Sequence, residues 1–126
     1  MNDIFTLGIN FLHSDTSACI FKGNNLIAAA EEERFTRIKH TSNFPINSIN
    51  YCLSEARVDI SKIKTISINS NPLSSLNRKI FYIVKNPKSL RLALSSLKNI
   101  NKKISIRKLI QNIDQKRKFN GKIKYI

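Results

Sequence analysis

Three short apolar runs near the amino terminus constrain the fold of this chain most. They cover residues 4–10, 18–22 and 26–30, and each has the length of a β-strand. The segment 23–25, Gly-Asn-Asn, separates the last two runs, and glycine and asparagine tolerate the positive φ of a tight turn. The pattern therefore predicts a three-stranded meander.

The residues after the meander predict one helix and a fourth strand. Pro45 suits the first turn of a helix that runs to about Arg57, because apolar residues recur at helical spacing through this stretch. Residues 63–68 form a short run rich in isoleucine, which predicts a strand. The order strand, strand, strand, helix, strand places the chain in the α/β class.

The second half of the chain predicts further helices and then another strand. Asn-Pro pairs at residues 71–72 and 86–87 are typical helix starts, and a third helix is expected from Ser105. Together they predict a basic helical insertion over residues 72–118. Residues 122–126 alternate lysine with apolar side chains, which is typical of the beginning of a strand.

The formal charge of +14 is concentrated in this second half. Residues 1–77 carry equal numbers of acidic and basic side chains, whereas residues 78–126 carry fifteen Lys and Arg with Asp114 as the one acidic residue. Such asymmetry is typical of contact with nucleic acid or an acidic partner. A small basic binding protein that contacts nucleic acid or an acidic partner through residues 78–124 is therefore the alternative function. Because no zinc-finger spacing or ribonucleoprotein motif accompanies the charge, nucleic acid is not the expected partner.

Targeting and membrane features are not evident in the sequence. Asp3 stands where a secretory signal would carry positive charge, and no apolar run approaches the roughly 18–20 residues that span a bilayer. Cys19 and Cys52 lack the close spacing of zinc sites and redox motifs, so buried free thiols are expected. We therefore expect a cytoplasmic protein with no membrane partner.

Two polar segments are candidates for a functional site. Residues 13–17, His-Ser-Asp-Thr-Ser, form a polar loop between the first two apolar runs. Residues 28–45 read Ala-Ala-Ala-Glu-Glu-Glu-Arg-Phe-Thr-Arg-Ile-Lys-His-Thr-Ser-Asn-Phe-Pro. Because unpaired charges are rarely buried, this block favours the rim of a site for an anionic or polyhydroxylated ligand. A solvated charge run is the alternative.

These segments resemble the amino-terminal end of the O-carbamoyltransferase family, whose members modify nodulation factors, cephalosporins and aminoglycosides. The resemblance rests on residues 7–10, 13–18, 31–40 and 44–45. It implies that residues 1–126 are the amino-terminal part of an incomplete actin-like, sugar-kinase (ribonuclease H-like) domain. A decayed or split gene product is compatible with it.

The resemblance also implies an enzymatic function. Members of the family form carbamoyl adenylate from carbamoyl phosphate and ATP, and then pass the carbamoyl group to a hydroxyl of a small-molecule acceptor. Their iron-type metal is held by a histidine-rich motif beyond the point matching Ile126, and their adenylate-forming domain follows it. We therefore expect no metal ligand in this chain, and no turnover from this fragment without the downstream domain.

Five residues form the predicted site. His13 is expected to act as general base on the acceptor hydroxyl, because an unperturbed imidazole titrates near operating pH. A loop histidine bonded to backbone is the alternative. Asp15 is expected to orient His13 or a ligand group, although Asp in turns often caps its own backbone. Arg34, Lys39 and His40 are expected to line the substrate pocket.

The acidic residues of the same block have an expected structural role. Glu32 or Glu33 is expected to pair with Arg34 or Arg37 and so to fix the loop. That pairing would leave Lys39 and His40 available to a ligand. Cations in this position suit a phosphate or an adenylate.

Overall fold

The described residues of the structure, a computed structural model, form a five-stranded sheet. Its strands are β1 (Phe5–Asn10), β2 (Ser17–Lys22), β3 (Asn25–Glu31), β4 (Ile63–Ile68) and β5 (Lys122–Tyr125). Their spatial order is β3-β2-β1-β4-β5. The first three pair antiparallel, and β4 and β5 run parallel to β1. The predicted meander, fourth strand and terminal strand are confirmed.

The structure describes residues 4–11, 13–69, 85 and 106–126. Contacts divide the chain into two compact units, residues 1–70 with 110–126 and residues 71–109. The sheet lies in the first unit. The two helices predicted to begin at Asn-Pro pairs lie outside the described residues, as does most of the insertion predicted over residues 72–118.

Three helices and one 3₁₀ helix are described: α1 (Glu33–Thr36), α2 (Ile46–Ala56), α3 (Ile106–Gln111) and the 3₁₀ helix Ile60–Lys62. The helix predicted to run from Pro45 to about Arg57 is confirmed as α2. It ends where Arg57 adopts a φ of 54° and donates its N–H to carbonyls of the last turn, a left-handed cap. Among the described residues, no helix has the length and apolarity required to cross a membrane.

The core lies between one face of the sheet and α2. Leu7, Ile20 and Ile66 of the sheet and Ile49 and Cys52 of α2 are all fully buried. Burying an aliphatic side chain of this size contributes about 1.5–3 kcal/mol to folding. This packing fixes the position of α2 against the strands, and with it the position of the helix amino terminus.

The opposite face of the sheet carries smaller side chains. Gly8 of β1 pairs with Cys19 of β2 on one side and with Ser67 of β4 on the other, and all three are half-buried. A Cβ at Gly8 would lie 2.7 Å from Sγ of Cys19, closer than a real Cβ approaches another atom. A side chain at this position would have to displace the Cys19 thiol, so glycine lets β1 and β2 pack closely here.

Candidate functional site

A cavity of about 720 Å³ opens at the end of the sheet where β1 and β4 finish. Small residues of the open face line it, among them Gly8 and Ser67, and Asn10, Arg34 and Asn69 supply polar groups. In open α/β sheets, ligands bind outside the carboxyl ends of the parallel strands. The position and the lining residues make this cavity the candidate site.

Two asparagines at neighbouring strand ends form a hydrogen-bonded pair in the cavity. Asn10 ends β1 and Asn69 follows β4, and the parallel pairing of these strands brings them to the same edge. Nδ2 of Asn69 donates to Oδ1 of Asn10 at 2.5 Å, and Oδ1 of Asn69 accepts from N–H of Phe11 at 3.2 Å. Nδ2 of Asn10 donates to the carbonyl of Asp15 at 2.8 Å. The loop after β1 is thus tied to two strand ends.

Asp15 and His40 meet beside this loop, although 25 residues separate them. Nδ1 of His40 lies 3.1 Å from Oδ1 of Asp15. Both residues adopt the left-handed region, with φ of 63° and 55°, which is uncommon outside glycine. An imidazole that donates from Nδ1 to a carboxylate presents Nε2 as an acceptor, which is the form a general base needs.

The other predicted site residues lie in different surroundings. His13 lies in the loop between β1 and β2, and Lys39 precedes His40; both are exposed, and the described part of the chain gives neither side chain a hydrogen-bond partner. Arg34 lines the cavity, whereas His13, Lys39 and His40 do not. The structure brings Asp15 to His40, not to His13, and the role of each of the five stays a prediction.

Arg34 pairs with Glu31 at the rim of the cavity. Nε of Arg34 lies 3.8 Å from Oε2 of Glu31, and the two side chains are 75% and 52% exposed. A pair this exposed is worth little and is screened by salt. The guanidinium therefore remains able to bind an anion that enters the cavity.

Glu32 has a different role from the expected one. It is 2% exposed and binds the amino terminus of α2: Oε1 accepts from N–H and Nδ2 of Asn47 at 3.3 and 2.7 Å, and Oε2 accepts from N–H and Oγ of Ser48 at 2.9 and 2.8 Å. The expected pairing of Glu32 or Glu33 with Arg34 or Arg37 is wrong. The reason is that the strand ends at Glu31, so the Glu32 side chain no longer follows the alternation of the sheet. Its carboxylate instead lies at the start of α2, where the free N–H groups of the helix attract negative charge.

Comparison with known proteins decides the family. The family model described as carbamoyltransferase N-terminus matches residues 5–125, almost the whole chain. This chain belongs to that family. The resemblance noted from residues 7–10, 13–18 and 31–40 is thereby confirmed.

Three relatives share parts of this sequence. The uncharacterized protein sll1178 of Synechocystis sp. is 36% identical over 92 residues, which cover 72% of this chain and 15% of that protein. An uncharacterized 19.2 kDa protein in the syrM 5′ region of Rhizobium etli is 44% identical over 63 residues, 50% of this chain and 36% of that protein. Nodulation protein NolNO of Sinorhizobium fredii is 46% identical over 57 residues, 45% of this chain and 8% of that protein. The matched segment therefore covers between 8% and 36% of the length of each relative.

The two cysteines of this carbamoyltransferase N-terminal region are free thiols, as predicted. Cys52 is buried, but Cys19 is only half-buried because it lines the cavity. Desolvation raises the pKa of the Cys19 thiol, and burial raises the pKa of Cys52 to about 11. Both thiols are protonated at neutral pH, which makes them poor nucleophiles and poor metal ligands.

A second cavity of about 620 Å³ lies near Phe5, at the start of β1, with Arg57 and Arg117 in its lining. NH1 of Arg117 donates to Oδ2 of Asp59 at 2.6 Å. Hydrogen bonds from Ser61 lower the pKa of the Asp59 carboxyl, with a smaller contribution from Arg117. This second cavity lies at the opposite end of β1 from Asn10, so it serves as a comparison for the candidate site.

The described residues contain no evident metal site. Within them, no group of three His, Cys, Asp or Glu side chains is arranged to hold an ion. The expected ATP and iron-type metal of the full-length family stay predictions.

Sequence reasoning missed Asn10 and Asn69 as members of the site. Asn10 belongs to the family block at residues 7–10 but carried no expected role, and Asn69 follows β4, 59 residues later in the chain. A polar residue at the end of each of two parallel strands is the signal that would have found them, provided that the two strands were known to be neighbours.

Proposed function

We propose that this chain forms part of a site that transfers a carbamoyl group to a hydroxyl of a small-molecule acceptor. Membership of the carbamoyltransferase N-terminal family supports the reaction class. The proposed location is the 720 Å³ cavity at the ends of β1 and β4, because its lining includes Arg34 and the hydrogen-bonded pair of Asn10 and Asn69. The donor in this proposal is carbamoyl phosphate, activated with ATP as carbamoyl adenylate.

The transfer step requires a base and a cation. The acceptor oxygen forms a bond to the carbamoyl carbon, the bond from that carbon to the phosphoryl oxygen breaks, and the hydroxyl proton passes to a base. Arg34 suits the phosphoryl oxygens, because guanidinium binds such groups through charge-assisted hydrogen bonds. This assignment gives the cation at the cavity rim a specific task.

Two histidines compete for the role of base in this proposal. His13 is the residue predicted from the sequence, and its imidazole is exposed in the loop between β1 and β2. His40 has the geometry of an oriented base, since Asp15 accepts at Nδ1 and Nε2 is left for the substrate. Substituting each by alanine in an active full-length family member carrying this segment separates them, because only the true base should lower kcat strongly.

The sheet supports an actin-like (ribonuclease H-like) architecture for the proposed domain. Its order β3-β2-β1-β4-β5, with an antiparallel meander followed by strands parallel to β1, agrees with the arrangement that the family resemblance implies. The alternative of a basic binding protein acting through residues 78–124 concerns a stretch that lies largely outside the described residues, and it stays a prediction.

Calorimetric titration of the 126-residue chain with carbamoyl phosphate tests the proposed site. Arg34→Gln removes the cation at the cavity rim, and we expect it to weaken binding about tenfold, the value of one charge-assisted hydrogen bond. Arg57→Gln is the matched control, because it removes the same charge from the second cavity. Equal losses in the two variants, or no loss in either, would contradict the proposal.

A further inference from the structure

The Asn10–Asn69 pair offers more hydrogen-bonding groups than the described residues use. Each carboxamide has two N–H donors and two oxygen lone pairs. Asn69 uses one N–H on Asn10 and one lone pair on Phe11, and Asn10 uses one N–H on Asp15 and one lone pair on Asn69. One donor and one acceptor therefore remain on each side chain, and both side chains line the cavity.

The orientation of these groups is set before any ligand arrives. The backbone N–H of Phe11 and the backbone carbonyl of Asp15 each fix one end of the pair, and the two amides fix each other. Preorganised groups bind more tightly because little side-chain freedom is lost on binding. Two residues earlier in the chain, Gly8 and Ser67 provide the small floor that lets a ligand approach.

We infer that Asn10 and Asn69 are the subsite for the carbamoyl group itself, an inference that rests on the proposed function. A carbamoyl group is neutral and planar, with one carbonyl acceptor and an NH₂ that donates twice. Two carboxamides with a spare donor and a spare acceptor each match this set without an ionic group. Arg34, on the same cavity, then serves the anionic phosphoryl end of the donor.

This subsite determines specificity for carbamoyl over acetyl and similar acyl groups. An acyl group that carries a methyl in place of NH₂ leaves the spare oxygen lone pairs of the asparagines without a donor. Because the Asn10–Asn69 hydrogen bond is exposed, the discrimination against the analogue that lacks NH₂ is limited to about one net hydrogen bond. Asn10 and Asn69 thus read the NH₂ of the transferred group.

The test compares methyl carbamate with methyl acetate, two neutral esters of equal shape that differ in NH₂ against CH₃. Each is titrated into the ¹⁵N-labelled 126-residue chain, and affinities are taken from the backbone amide shifts of Gly8, Asn10 and Ser67. We expect methyl carbamate to bind three- to tenfold more tightly, on the order of one hydrogen bond. Asn69→Leu should reduce the ratio to about one, whereas Asn50→Leu, at an exposed position of α2, should preserve it.

Each outcome decides the inference separately from the proposed function. Equal affinities in the wild-type chain, or no shifts at the cavity, would overturn the subsite, while the Arg34-dependent binding of carbamoyl phosphate is measured independently. If Asn69→Leu loses the dispersed spectrum of a folded chain, Asn69→Ala replaces it, since this shorter side chain removes the amide oxygen and N–H groups without adding apolar bulk. A ratio that survives in that variant would also overturn the inference.

Discussion

The three adjacent glutamates lie in different environments, because the backbone changes from strand to helix across them. Glu31 ends β3 beside Arg34, Glu32 is buried at the start of α2, and Glu33 begins α1. N–H of Glu32 also donates to the carbonyl of Thr16 at 2.9 Å, so one residue links the end of β3, the start of β2 and the start of α2. Glu32 thereby holds together segments that lie beside the candidate site.

Replacing Glu32 should destabilise the chain strongly. Glu32→Ala leaves the donors of Asn47 and Ser48 without their acceptor and removes the negative charge from a helix start, which we expect to lower the free energy of unfolding by about 3 kcal/mol. Urea denaturation followed by circular dichroism measures the loss. Glu32→Gln should lose less, and Glu55→Ala, exposed on α2, should change it by less than about 0.5 kcal/mol. Similar losses at positions 32 and 55 would contradict this role.

The two thiols should react at different rates. Cys19 lines an open cavity, whereas Cys52 is buried with a pKa of about 11, so Cys19 should react with iodoacetamide first in the native chain. A raised thiol pKa means little thiolate at pH 8 and more as pH rises, so the rate at Cys52 should increase about tenfold per pH unit up to pH 10. Mass spectrometry of the alkylated peptides measures both rates, with the urea-unfolded chain as control. Faster native alkylation at Cys52 would refute the assignment.

At the scale of elements, the close pairing of β1 and β2 depends on Gly8. Gly8→Ala places a Cβ against Sγ of Cys19, and we expect it to lower stability by about 1–3 kcal/mol. Cys19→Ala removes the opposing sulfur, so the double variant should recover much of that loss in a double-mutant cycle. Urea denaturation of the four proteins measures the coupling. Additive losses would show that the contact does not limit the packing.

Local sequence patterns were sufficient to predict the strands and α2, but they did not predict the long-range contacts that assemble the site. Short apolar runs with turn residues between them predicted the meander, and Pro45 followed by apolar residues at helical spacing predicted α2. The single turn α1 was missed because its charged sequence has no apolar period. The contacts of Asn10 with Asn69 and of Glu32 with Asn47 join residues that are distant in sequence, and only the packed arrangement of strands and helix determines them.

At the scale of the whole molecule, the chain matches only part of the length of its relatives. The matched residues make up 15%, 36% and 8% of the three relatives, and the proposal assigns carbamoyl adenylate formation to a domain outside the match. In the proposal, the cavity contributes positions for an anion and for a neutral carbamoyl group, and membership of the family supports the reaction class.

The purified 126-residue chain should therefore show no turnover. We expect no carbamoylated product from carbamoyl phosphate, ATP and an aminoglycoside acceptor, because the adenylate-forming step lies outside this chain in the proposal. Mass spectrometry of the acceptor after incubation measures the product, and a complete family enzyme serves as positive control. A carbamoylated acceptor formed by this chain alone would contradict the division of labour.

The location of bound carbamoyl phosphate tests the central claim most directly. Titration into the ¹⁵N-labelled chain shows which backbone amides the ligand perturbs, and the two cavities lie at different ends of β1. The account predicts shifts at Gly8, Asn10 and Ser17 that weaken in Arg34→Gln. Shifts confined to Arg57, Val58 and Arg117 would place the anion in the second cavity and contradict the proposed site.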